Sequence, residues 1–237
     1  VGGVMIKRAT LHNFDEIKRL DVKLGDRVLV QRSGDVIPKI VKNVPELRVG
    51  TELAVEVPKV CPACGSEILK FEDEVAYRCS NTLSCPAQIA GSIEHFVSKK
   101  AMDIESFGPA VIEQLIVKNK LQNVLDIYKL KREDFLELEL VKDKKADNLM
   151  FQIEKSKNQD LANLIFGLGI RFVGEKASRT LANHFKNLEV LQKAKFEELV
   201  ELEDIGEKIA KSLVLFFENF KFMDKLQEYR INTKMPE

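Results

Sequence analysis

Apolar and polar positions follow three different rhythms along the chain. In residues 1–57 the run Asp26-Arg27-Val28-Leu29-Val30-Gln31-Arg32 reads as a strand, and Ile37 to Val44 as a second with weaker alternation. Ser33-Gly34-Asp35 supplies turn chemistry between them, and Leu24-Gly25-Asp26 supplies another turn. Asn13 followed by Glu16 predicts a short helix that ends near Leu20, with Asn13 accepting from the early amides. Short strands separated by turn residues point to a small β-barrel. Residues 58–88 carry little apolar sequence. Residues 89–237 read as helix throughout.

The helical part repeats. Gly108, Lys142, Gly174 and Gly206 form one column, spaced 34, 32 and 32 residues apart. An apolar residue stands just before each: Phe107, Val141, Val173 and Ile205. Four residues after each stands a small or apolar one (Ile112, Ala146, Ser178, Ala210), and seven after each a leucine (Leu115, Leu149, Leu181, Leu213). This is one supersecondary unit written four times: a helix, a tight hairpin, and a second helix that starts at the column. The fold class is therefore multidomain: a partial β-barrel over 1–57, a small cysteine-bearing unit over 58–88, and an all-α array of four hairpin repeats over 89–237.

Charge changes the picture little. The 37 basic and 37 acidic residues cancel, and the three stretches carry +2, −1 and −1. Neutrality argues against wrapping a polyanion by bulk charge, so any anion binding has to come from placement. No stretch approaches the roughly 20 apolar residues of a membrane span, and the start of the chain lacks the apolar core of a secretory signal. A membrane partner is not expected.

The four cysteines do change it. All lie between positions 61 and 85, as Cys61, Cys64, Cys79 and Cys85. In a reducing compartment such a cluster reads as a metal site, and about 30 residues cannot hold a fold by burial alone. Four thiolates close a tetrahedral shell around zinc. An iron–sulfur cluster uses the same donor set, but the Pro62-Ala63-Cys64-Gly65 knuckle favours zinc. A closed shell leaves no open position, so the metal is expected to be structural.

The hairpins suggest a second chemistry. The first amides of a helix have no intrahelical partner and sit at its positive end, where a phosphate binds. Glycine at that turn allows close approach and tolerates positive φ. Gly108, Gly174 and Gly206 are therefore candidate phosphate contacts, with Lys176 and Lys208 adding charge and Gly169 loosening the third hairpin. The second hairpin, Leu140-Val141-Lys142-Asp143, has no glycine and is expected to pack rather than bind. The position two before the column is not glycine in any repeat, and Asp204 there would repel a phosphate unless it caps its helix. A helical solenoid for protein contacts has a similar period, but the glycine column argues against it.

In order, these parts resemble bacterial NAD-dependent DNA ligases. The resemblance rests on KRATLHN (7–13), GDRVLVQRSGDVIPKIV (25–41), CPACGSE (61–67), RCSN and CPAQ (78–88), HFVSKKAMDIESFG (95–108) and FGLGIRFVGEKAS (166–178). It implies an oligonucleotide-binding (OB) barrel whose first strand lies outside the chain, a four-cysteine zinc finger, and a helix-hairpin-helix domain. It also implies an inactive part of a nick-sealing enzyme of replication and repair. The parent would use NAD and Mg in a nucleotidyltransferase domain with a K-x-D-G lysine. The nearest string here, Lys145-Ala146-Asp147-Asn148, reads as a solvated helix face. The resemblance implies nicked duplex DNA as partner, the nucleotidyltransferase domain as neighbour, a monomer, and a bacterial cytoplasm.

By the same resemblance Arg8, Thr10, His12 and Asn13, with Arg32, Val36 and Ile37, form the barrel's minor-groove face. Plainer readings stand beside this one: strand core for Val36 and Ile37, a surface histidine at a helix start for His12, solvated charges for Arg8 and Arg32. Base readout is not expected, because phosphate contacts suffice for a sequence-independent binder.

Overall fold

The structure is a computed structural model, and it describes residues 5–33, 37–70, 75–82, 84–220 and 222–235. The chain divides into two compact units, 1–82 and 83–237. The division into three domains at 57/58 and 88/89 is a finer proposal.

The first unit begins with α1 (Phe14–Arg19). Asn13 caps it, its side-chain oxygen accepting from the Glu16 amide at 2.9 Å. Leu20 closes it. Strand β1 (Lys23–Leu24) pairs antiparallel with β4 (Leu53–Ala54). Strand β2 (Val28–Ser33) pairs antiparallel with β3 (Ile37–Asn43), with a bulge at Leu29/Val30. Strand β5 (Ile68–Lys70) pairs antiparallel with β6 (Tyr77–Cys79). Among the described residues these are three separate two-stranded sheets. Thr10 adds one parallel bridge to β3 at Lys39.

Little apolar surface is buried in this unit; Val22 and Cys61 are its buried apolar residues among those described. Polar links do much of the holding. Arg48 reaches Asp21 at 2.9 Å and Asp26 at 2.7 Å. The buried Asn43 donates to the Asp21 carbonyl. Glu52 accepts from the Val49 and Gly50 amides. Lys70 pairs with Asp15 at 2.7 Å, and the Phe14 and Tyr77 rings meet edge to face.

The second unit is helical: α2 (Pro86–Val97), α3 (Pro109–Val117), α4 (Arg132–Leu136), α5 (Asp143–Ser156), α6 (Leu161–Gly167), α7 (Glu175–Phe185), α8 (Leu188–Lys193), α9 (Phe196–Val200), α10 (Glu207–Asn219) and α11 (Met223–Glu228). The four repeats are α2/α3, α4/α5, α6/α7 and α9/α10, each pair packed together. One apolar core runs from Ile93 to Ile231. The repeat pattern explains it: the residues just before the column, four after it and seven after it are all buried. Helical spacing puts the last two on one face, and the residue before the column plugs the hairpin against that face. Gly167 ends α6 where a Cβ would stand 3.3 Å from both Ala101 Cβ and Phe96 Cδ2, so glycine there permits close packing of α6 on the first repeat. The tail is stitched back by Leu188 N–H to the Thr233 carbonyl and Asn232 N–H to the Lys157 carbonyl.

Candidate nucleic-acid interface and metal centre

Gly108, Lys142, Gly174 and Gly206 are the N-caps of α3, α5, α7 and α10. All four have extended backbone, with φ of −85, −116, −88 and −79°. The column glycines therefore do not use the positive φ that glycine tolerates. The left-handed residue stands two positions earlier in every repeat: Ser106 (φ 66°), Leu140 (60°), Phe172 (65°) and Asp204 (69°). A Cβ added at Gly108, Gly174 or Gly206 would meet nothing within 4 Å. Neither the fold nor the backbone angle demands glycine here, and Lys142 shows that a side chain fits. What glycine leaves is bare backbone at a helix start, on the outside of the molecule.

No side chain caps these four helices. Asp204 does not cap α10; it accepts from Lys176 Nζ at 2.8 Å, across from the third hairpin to the fourth. That hydrogen bond raises the Lys176 pKa. Lys176 is thus already engaged by a carboxylate, which qualifies its expected role. Lys208 is exposed on the first turn of α10. Gly169 is left-handed (φ 65°).

Polar contacts set the hairpins side by side. Lys100 pairs with Glu175 at 2.9 Å, and this contact pulls the Glu175 pKa down. Asn163 donates to the Lys100 and Ala101 carbonyls, and His95 Nε2 lies 2.7 Å from the Phe166 carbonyl. Those contacts join the first and third repeats. The first and second meet through Asn148 Nδ2 to Ser106 Oγ (3.2 Å) and the Glu139 amide to Gln114 Oε1 (2.7 Å). These links span up to 75 residues and have no local sequence signal. In the string Lys145 to Asn148, Asp147 pairs with Arg132.

On the first unit, Thr10 N–H donates to the Pro38 carbonyl, and Thr10 Oγ1 accepts from the His12 amide at 3.0 Å. Asn13 is occupied as the cap of α1. Arg8 and His12 are exposed, with His12 left-handed at φ 58°. Ile37 is exposed at the start of β3. Val36 lies outside the described residues, as does the side chain of Arg32.

The cysteines come together. The sulfurs of Cys61, Cys64, Cys79 and Cys85 all lie within 4.8 Å of one another. Cys61 and Cys85 are buried. A tight turn positions the first pair: the Cys61 amide donates to the Ser66 carbonyl, and the Gly65 amide to the Cys61 carbonyl, with Gly65 at φ 72°. Pairing of β5 with β6 sets Cys79 opposite Ile68. Cys85 is the N-cap of α2. Cys64 and Cys79 sulfurs stand 3.5 Å apart, far beyond a disulfide of about 2.05 Å. Zn–S bonds of about 2.3 Å in a tetrahedron require sulfurs about 3.8 Å apart, so the donor set and its spacing fit a four-thiolate metal.

A family model described as the NAD-dependent DNA ligase OB-fold domain matches residues 1–52, and one described as the NAD-dependent DNA ligase C4 zinc finger domain matches residues 60–87. Two stretches of the chain thus match domain models of NAD-dependent DNA ligases. A helix-hairpin-helix model matches residues 163–227, over the third and fourth repeats. Proteins named DNA ligase align along nearly all of the chain: 48% identical in Bacillus licheniformis, over 98% of this chain and 35% of that protein; 45% in Bacillus subtilis, over 98% and 35%; and 46% in Francisella philomiragia, over 100% and 35%. The chain spans about a third of the length of these ligases. No helix among the described residues is long and apolar enough to cross a membrane.

Proposed function

We propose that this chain is the DNA-binding part of an NAD-dependent DNA ligase, holding nicked duplex for a nucleotidyltransferase domain that takes AMP from NAD with Mg. One observation carries the reading: three helix starts, at Gly108, Gly174 and Gly206, present bare backbone that no internal contact requires to be bare. Amides at a helix start bind phosphate without reading bases, which suits an enzyme that seals any sequence. The minor-groove role of Arg8, Thr10, His12, Asn13, Arg32, Val36 and Ile37 belongs to the same proposal, with Thr10 and Asn13 acting mainly to shape the turn before α1. Zinc, when bound, supplies a cross-link between four thiolates and no reactive position. Cys61, Cys64, Cys79 and Cys85 would hold it. A bacterial cytoplasmic setting and a monomeric parent complete the proposal.

The test compares Gly174→Asp with Lys142→Asp in nicked-duplex binding across a salt series. Aspartate is a favoured N-cap, and the space beside Gly174 is open, so the fold should persist with unchanged melting. Gly174→Asp changes the charge by one and Lys142→Asp by two. The backbone route predicts that Gly174→Asp nonetheless weakens binding more, by roughly tenfold, the cost of one charge-assisted contact. Losses that follow the charge change instead would count against it, and absence of salt-sensitive binding by the unaltered chain would remove the reading.

A further inference from the structure

The four left-handed residues before the helix starts divide by chemistry. Ser106 and Asp204 are polar, and each contacts a neighbouring repeat, through Asn148 and Lys176. Leu140 and Phe172 are apolar and turn outward, 94% and 50% exposed. A lone exposed apolar residue is ordinary. A large apolar residue in the left-handed region is not, because its Cβ crowds the backbone there, and glycine or asparagine would hold the turn at lower cost. Here two such residues occupy the same register position, 32 apart, each two residues before a helix start. Within the chain the exposed Phe172 ring meets the Arg171 guanidinium at 5.0 Å. Strain kept for so small an internal return, one exposed cation–π contact at Phe172, is a reason to look outside the chain.

We infer that Leu140 and Phe172 are apolar contacts to duplex DNA, resting against deoxyribose walls beside the phosphates that the helix starts face. The inference rests on the DNA-binding reading above. Its occupant follows from the surroundings. Arg171 adjoins Phe172, its guanidinium 5.0 Å from the ring; Leu140 stands between Glu139 and Val141, with Lys142 two residues on at the helix start. A protein interface core favours a continuous apolar area with few charges. Exposed apolar residues two before helix starts that are proposed to face phosphate, one of them against a guanidinium, suit a polyanion with apolar sugar edges. The second hairpin, which lacks a glycine in the column, thereby gains a contact of a different kind from phosphate binding.

The experiment measures nicked-duplex affinity by fluorescence anisotropy across a salt series, with melting in parallel, for Phe172→Asn, Leu140→Asn and Phe172→Leu. Asparagine tolerates the left-handed backbone, so the Asn variants should melt at or above the parent temperature. Their affinity should fall at least about fivefold, the low end for an aromatic contact to nucleic acid. The slope of log affinity against log salt should stay the same, because no ion is released through these residues. Phe172→Leu should keep most of the affinity. Unchanged affinity in the Asn variants overturns the inference, as does a loss accompanied by a shallower slope or by lower melting, which would trace the effect to charge or to internal packing. If the parent chain itself fails to bind, it is the DNA-binding reading that fails.

Discussion

The two units of this chain are stabilised by different physics. The second buries a continuous apolar core from Ile93 to Ile231. The first buries Val22 and Cys61 as its apolar residues among those described, relies on ion pairs and capped turns, and supplies three of the four clustered cysteines, Cys61, Cys64 and Cys79. Hydrophobic burial is insensitive to pH and chelators; ionic and metal links are not. The same solution conditions should therefore pull the units apart in stability, so that one can be made to fail while the other holds.

Metal removal should have the largest effect. Structural zinc is worth about 10–16 kcal/mol in small four-ligand peptides at neutral pH, and residues 60–70 have almost no buried side chains to replace it. A strong chelator, or Cys61→Ser, should raise amide exchange around β5 and β6 to near the unfolded rate. Exchange in α5 and α7 should be unchanged. Metal analysis should give one zinc per folded chain. A folded sample with no zinc, or uniform loosening of both units, would undo the contrast.

The converse experiment acts on the core. Phe135 is fully buried against the edge of Phe107, with ring centroids 6.0 Å apart. Phe135→Ala should cost about 3–5 kcal/mol through lost burial and a residual cavity. The helical melt should drop while the chelator-sensitive exchange near β5 stays where it was. If both move together, the units share more stability than their separate cores suggest.

The same contrast explains what the sequence shows and what it conceals. The hairpin column is legible because capping and helical spacing are local: Gly108, Gly174 and Gly206 announce helix starts, and Leu115, Leu149, Leu181 and Leu213 announce the buried face. Asn13 and Glu16 mark α1 by the same logic. The cysteine cluster is legible because four soft ligands in a core-poor stretch have few other uses. The inter-repeat contacts are hidden, since Lys100–Glu175 and Lys176–Asp204 join residues 75 and 28 apart. A column glycine tolerates the left-handed conformation but does not require it. The structure puts that conformation two positions earlier, at Ser106, Leu140, Phe172 and Asp204. Serine, leucine and phenylalanine are seldom favoured there, so nothing in the sequence marks those positions. How the barrel strands associate is likewise a matter of long-range pairing, and periodicity alone is silent on it.

The smallest effect should come from acid, and it should be confined to the first unit. The Asp26 side chain is 1% exposed and receives two hydrogen bonds from Arg48, at 2.7 and 2.8 Å, and one from the Lys23 amide at 2.8 Å. The Arg48 contact holds its pKa down to about 2, against an ordinary 3.8. A carboxyl depressed in the folded state binds its proton more readily once unfolded. Its stabilising contribution is therefore complete above about pH 4 and drains away as pH falls through about 2. The Asp26 carboxyl resonance should titrate at the low value. Asp26→Asn should flatten the acid dependence of exchange around Lys23 and Arg48, and leave the helical melt untouched. An Asp26 that titrates near 3.8 would mean that Arg48 does not hold it in solution, and the first unit would then depend on its cysteines even more heavily than its buried side chains suggest.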